Sequence, residues 1–170
     1  MQYTVLIPGG FKPPHKGHYD YIKFYLENPD VEKVILFCGD KERDGVTQEH
    51  MERILELYGL MSHPKMEYRR ATIRKGKKNY TNPLADCFDW GDENKEKRFG
   101  LGCSEKDAGY QTSFGDYFYD NNNYVCVPIF KMRDKISATQ FREALQNNKS
   151  IQKFLPDGVD EQSVLALFKA

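Results

Sequence analysis

Two histidines with a glycine between them, His15-Lys-Gly-His18, follow a turn rich in glycine and proline, Gly9-Gly-Phe-Lys-Pro-Pro14. Far along the chain stands Lys135-Ile-Ser-Ala-Thr-Gln-Phe-Arg142. An imidazole keeps a donor N–H whether it is neutral or charged. Hydroxyls, a guanidinium and the free N–H groups of a helix start all suit phosphate oxygens. The chemistry these two groups of residues could share is the binding of a polyphosphate between two helix N-termini, without a P-loop lysine. Gly9, Gly10 and Gly17 favour close approach of a ligand to the backbone.

Plainer readings stand beside this one. Histidines at i and i+3 need further ligands to hold a metal, so no metal ligand is assigned. Ordinary helix capping is open for His15 and His18. Ser137 with Gln140 fits the Ser-x-x-Gln capping box ahead of an apolar stripe. Capping and phosphate binding are compatible. His50 and His63 stand alone and read as ordinary.

The elements that must position these residues follow from hydrophobic periodicity. A strand is expected at 3–8 and a helix at 16–27, with Ile22, Tyr25 and Leu26 on one face. A strand at 33–38 precedes a helix at 48–60 striped by Met51, Ile54, Leu55 and Tyr58. Then come a strand at 66–73, a helix at 83–90, and strands at 99–103 and 124–130. A helix at 138–147 carries Phe141, Ala144 and Leu145, and a last one at 160–169 carries Val164, Leu165 and Phe168. Alternating strands and helices predict an α/β fold, a Rossmann-like doubly wound five-stranded parallel sheet in a single domain, 1–170. The turn holding His15 and His18 then lies at the carboxyl end of the first strand, where such sheets bind ligands. Segments 74–82, 91–98 and 104–123 read as polar loops, the last long enough to be functional. Trp90 and Tyr80 could stack on a base, with core the favoured reading.

The 170 residues suit one domain, and 25 basic against 25 acidic side chains give a formal net charge of zero. That balance argues against nucleic acid as a partner. The local run Arg69, Arg70, Arg74, Lys75, Lys77 and Lys78 is either a solvated strand end or a phosphate-attracting rim. Four scattered cysteines without a C-x-x-C read as buried free thiols in a reducing compartment. The N-terminus runs straight into a strand, and no apolar run reaches membrane-spanning length. The expectation is a soluble cytoplasmic protein with no membrane partner.

The two motifs, one after the first strand and one after the last, together resemble those of the nucleotidylyltransferase superfamily, also called cytidylyltransferase-like. Its members include nicotinamide-mononucleotide and phosphopantetheine adenylyltransferases. The resemblance covers nearly the whole chain in element order and is sharpest at 9–18 and 136–142. It implies the HUP-type nucleotidylyltransferase fold. It also implies transfer of a nucleoside monophosphate from ATP or CTP to a phosphorylated small-molecule acceptor, with release of pyrophosphate. In that frame the backbone at Pro8, Gly9, Gly10, Phe11 and Gly17 holds the triphosphate, and His15 and His18 donate to it. Ile136, Ser137 and Thr139 meet the outer phosphates with Arg142 beside them, and Arg133 and Lys135 close over the pyrophosphate. Lys12 or Lys41 neutralises the acceptor phosphate, and Gly102 and Asp107 approach the base and ribose. Mg²⁺ is implied as a companion of the bound nucleotide, and relatives form dimers to hexamers.

Glu52-Arg53 resembles the family's structural Glu-Arg pair. Lys131 to Ser137 also resembles the Lys-Met-Ser-Lys-Ser loop of class I aminoacyl-tRNA synthetases, but the chain is too short for a synthetase with tRNA-binding domains. The cytidylyl subgroup shows Arg-Thr-x-Gly-Ile-Ser-Thr, and the glycine is missing here, so ATP is favoured over CTP. The alternatives are a cytidylyltransferase acting on an alcohol phosphate and a catalytically silent nucleotide-binding regulatory protein.

Overall fold

Alternation of side chains across the first two strands builds two apolar layers from one sheet. In the computed structural model, which describes residues 1–133 and 135–169, β1 is Tyr3–Gly9 and β2 is Val31–Cys38. Val5 and Ile7 of β1, with Val34, Leu36 and Cys38 of β2, face one core; Leu6, Ile35 and Phe37 face the other. The first core is closed by helices α1 (Lys16–Leu26), α2 (Gln48–Leu57), α5 (Ala138–Gln146) and α6 (Glu161–Ala166). The second is closed by α3 (Pro83–Glu93) and α4 (Ala108–Tyr117). Asp134, inside the motif at 133–139, and Ala170 lie outside the described residues.

The sheet is parallel, with four strands in the order β3-β2-β1-β6, where β3 is Met66–Arg70 and β6 is Phe99–Leu101. This corrects the expected five strands. The segment 124–130 does run beside β6, and Val125 N–H donates to Phe99 O at 2.7 Å and Phe130 N–H to Cys103 O at 3.0 Å. Between these points it pairs as no regular strand. Pro128 has no N–H to give. Its carbonyl accepts from Tyr25 Oη at 2.6 Å, and the Val127 carbonyl accepts from Gln111 Nε2 at 2.9 Å. The bridges Phe99–Tyr124 and Ser104–Phe130 lie five positions apart on one side and six on the other, which adds one residue and breaks the ladder.

Two further expectations give way. The strand at 66–73 ends at Arg70, and Ile73–Arg74 (β4) turns off to pair antiparallel with Tyr80–Thr81 (β5). The loop at 104–123 is largely helical: a single turn Glu105–Asp107 leads into α4. That helix has two glycines and weak intrinsic propensity. It forms because Phe114 is fully buried and because Gln111, itself buried, donates to the carbonyls of Leu101 and Val127.

The three arginines of the basic run are paired. Arg70 makes a two-pronged bond to Glu52, Arg69 meets Glu67, and Arg74 bridges Asp86 and Asp89. Trp90 is core, whereas Tyr80 is exposed. Cys38, Cys87 and Cys103 are buried free thiols, and Cys126 is exposed. No helix among the described residues is long and apolar enough to cross a membrane.

Candidate active site

The loop between β1 and α1 is held at three points. Lys12, buried to 4 % exposure, donates from Nζ to Gly39 O at 2.7 Å and to Gly10 O at 3.1 Å, stapling the ends of β1 and β2 together. Tyr58 Oη donates to Pro14 O at 2.7 Å, and Arg142 Nη1 donates to Lys12 O at 2.8 Å. Phe11 takes φ +50, a left-handed backbone uncommon outside glycine. This brings its ring over Gly9, where a Cβ would collide with it.

His15 is the N-cap of α1. Its Nδ1 accepts from Gly17 N–H at 3.0 Å and His18 N–H at 3.4 Å, while His18 Nδ1 accepts from His15 N–H at 3.1 Å. Two histidines thus form the reciprocal capping box more often made by Ser or Thr with Glu or Gln. The bonds settle the tautomers: with both Nδ1 atoms accepting, each neutral ring carries its proton on Nε2. The rings stack with centroids 3.8 Å apart, and Phe11 meets His18 edge-on.

Burial lowers the His15 pKa to about 4, helped by the nearby Lys106 charge. Burial, then His15, then Lys106 push His18 well below its ordinary value too. Both rings are neutral at pH 7 and offer Nε2–H to whatever the cleft holds.

That cleft has a volume of about 630 Å³. One wall is Pro8, Gly9, Gly10, Phe11, His15 and His18. Ile136, Ser137 and Thr139 at the start of α5 complete it, with Asp107 from the turn after β6. Ser137 caps α5 by accepting from Gln140 N–H at 3.1 Å, one half of the anticipated box. The cleft therefore sits between two helix N-termini, the positive ends of the α1 and α5 dipoles. A second cleft, about 460 Å³, shares Pro8, Gly9, Gly10, Tyr21 and Asp107 and adds Gly102, Leu84 and Tyr110.

The structure does not bring every anticipated residue to these walls. Lys12 serves the loop instead. Gly17 packs under the His15 ring and Met132. Arg142 is engaged by Asp44 at 2.9 Å, the Lys12 carbonyl and Thr139 Oγ1, so it braces α5 against two loops. Arg133 lines a separate groove along α1, with Tyr19 and Phe24. Lys41 and Lys135 are exposed outside the cleft lining. Of the lining residues given no role by the motif reading (Tyr21, Ser104, Glu105, Lys106, Met132 and Ala138), Glu105 and Lys106 are the charged ones, and both directly precede the matched Asp107. Proximity to a matched position was the one signal that pointed to them.

Solved nucleotide adenylyltransferases share this fold. A candidate nicotinate-nucleotide adenylyltransferase from Vibrio parahaemolyticus superposes with a TM-score of 0.63 at 12% identity, over 97% of this chain and 99% of that one. A bifunctional NMN adenylyltransferase/ADP ribose pyrophosphatase from Francisella tularensis gives 0.60 at 16% identity, over 98% of this chain. The chain spans about half the length of the Francisella protein, 49%. That protein is also known complexed with AMP and a manganese ion, where the match is 0.60 at 15% identity, over 98% of this chain and 52% of that one. No protein-family model matches the sequence, and no curated protein does.

Proposed function

We propose that this protein is a nucleotidylyltransferase. It transfers a nucleoside monophosphate, AMP before CMP, from a triphosphate to a phosphorylated small-molecule acceptor. The observation that carries the reading is the paired-histidine cap. It fixes two neutral Nε2–H donors on one wall of a cleft whose opposite end is the Ser137-capped start of α5.

In this reading a phosphate oxygen of the acceptor attacks the α-phosphorus. The new P–O bond forms as the bond to the pyrophosphate oxygen breaks in line. Catalysis is positioning and charge stabilisation, with no covalent enzyme intermediate. His15 and His18 donate to oxygens at the α-phosphate, and Ser137 and Thr139 meet the leaving pyrophosphate. The second cleft takes the acceptor, since it opens onto the same Gly9–Gly10 backbone; Gly102 then faces the acceptor, and Asp107, which lines both clefts, is left for the base and ribose.

Mg²⁺ bound with the triphosphate would supply further charge stabilisation. Among the described residues no cluster of three carboxylates, histidines or cysteines exists to cage a metal. Oxygen ligands from phosphates and water suit Mg²⁺ without such a cage, and Asp107 and Glu105 are the nearest carboxylates on the wall.

The test is pyrophosphate release with Mg²⁺, crossing ATP and CTP against phosphorylated acceptors, with nicotinate and nicotinamide mononucleotides first. His18→Ala is expected to lose about 10²–10³ in turnover, as for an oxyanion donor. A variant turning over like wild type would end the assigned role. Nucleotide binding without pyrophosphate from any acceptor would instead favour a silent nucleotide-binding protein.

A further inference from the structure

A polyphosphate needs positive charge as well as neutral donors, and the cations anticipated from the motifs are held by other partners or lie outside the cleft lining. Lys12 is buried against the carbonyls of Gly10 and Gly39. Arg142 lies between Asp44 and the Lys12 carbonyl. Arg133, Lys41 and Lys135 are outside the lining. Among the described residues Lys106 is the one lysine or arginine on the cleft wall.

Its surroundings suit that duty. The turn Glu105–Asp107 is tied to the neighbouring segment by Glu105 N–H donating to Phe130 O at 3.0 Å, and it closes on itself through Asp107 N–H to Ser104 O at 3.0 Å. Ser104 beneath it is buried. Lys106 itself is exposed, and among the described residues its ammonium has no ion-pair or hydrogen-bond partner. Its charge is felt at both His15 and His18, which places it on the histidine side of the cleft. Glu105 and Asp107 add negative charge to the same wall, so among the described lining residues a triphosphate there would find its positive side chain in Lys106.

We propose that Lys106 is the catalytic cation of this cleft, its ammonium pairing with the oxygens of the bound polyphosphate beside the two histidines. The proposal rests on the nucleotidyl-transfer reading and names a group that neither motif contains. A lysine serves here as a mobile point charge with three donors.

The experiment is calorimetric titration of the full chain with ATP, AMP and inorganic tripolyphosphate in Mg²⁺ buffer. Wild type, Lys106→Met, Lys106→Arg and the remote control Lys149→Ala are compared. Lys106→Met keeps the length and removes the charge at an exposed position, and an unchanged thermal midpoint verifies its fold. The expected result is an affinity for ATP and tripolyphosphate about 10- to 100-fold weaker in the Met variant, as for a lost charge-assisted bond. AMP affinity should stay within about twofold, the Arg variant should recover most of the loss, and the control should match wild type. Equal ATP affinity in wild type and Lys106→Met overturns the role of Lys106 and leaves the nucleotidyl-transfer reading standing. An equal loss for AMP and ATP also overturns it, because the contact would not then be to the polyphosphate. Wild type that binds neither ATP nor tripolyphosphate overturns both.

Discussion

His15 holds its place by being neutral. In the folded protein its pKa falls from the ordinary 6.5 to about 4, chiefly through burial. Between those values the unfolded chain takes up a proton that the folded one refuses. Stability is therefore fully present above pH 6.5 and is lost as the pH falls toward 4, by about 3 kcal/mol at most for this residue. His15→Asn keeps an N-cap acceptor and removes the titration. Its thermal midpoint should fall less steeply than that of wild type between pH 6.5 and 4, at about 2–4 °C for each kcal/mol. Superimposable profiles would show that His15 is not a buried neutral ring. At this scale the sequence was readable in part. The H-x-G-H spacing disclosed the two histidines and their helix start. It did not disclose that each ring caps the other, because that depends on the extended backbone of His15 at φ −117 and ψ −179.

The start of α1 reverses a general expectation for helices. Replacing glycine by alanine inside a helix commonly stabilises by about 0.5–1 kcal/mol. At Gly17 a Cβ would stand 2.8 Å from His15 Cε1 and 2.6 Å from Met132 Cε. Met132 can swing aside, but the His15 ring is held by its two backbone bonds. Gly17→Ala should therefore lower the denaturation midpoint and cut pyrophosphate release at least tenfold. A variant more stable than wild type with full activity would mean that the ring is free to move. The long helices were legible because their apolar residues recur at 3.6 spacing and bury one face. Helix α4 was not, since its glycines and polar residues give no stripe, and the bonds of Gln111 to β6 and to the segment 124–130 supply what periodicity lacks. The supposed fifth strand misled for the opposite reason. Its apolar run reads as a strand, yet Pro128 and the side chains of Tyr25 and Gln111 take the places of ladder bonds.

Across the whole molecule, the sheet divides the interior into two apolar layers, and the cleft opens where the carboxyl ends of β1 and β6 meet the starts of α1 and α5. The smaller layer depends on Phe114, which is fully buried and meets Phe88, Phe99 and Phe118 at ring-centroid distances of 4.9–6.1 Å. Phe114→Ala should cost about 3–5 kcal/mol. Urea unfolding should show a lower midpoint with an unchanged slope. A loss under 1 kcal/mol would mean that α4 is not docked as described. The sequence by itself determined the α/β order, the first-strand turn and the two motifs at the starts of α1 and α5. Each of these rests on spacing within a few residues, and local geometry converts spacing directly into a face or a cap. Only the tertiary structure decided which charges reach the cleft. Lys12 and Arg142, conspicuous in the motifs, are drawn into carbonyl and carboxylate contacts with segments as many as 130 positions away, and Lys106 is left facing the site. A buried cation must satisfy its donors wherever the folded chain offers acceptors, and those partners are set by packing.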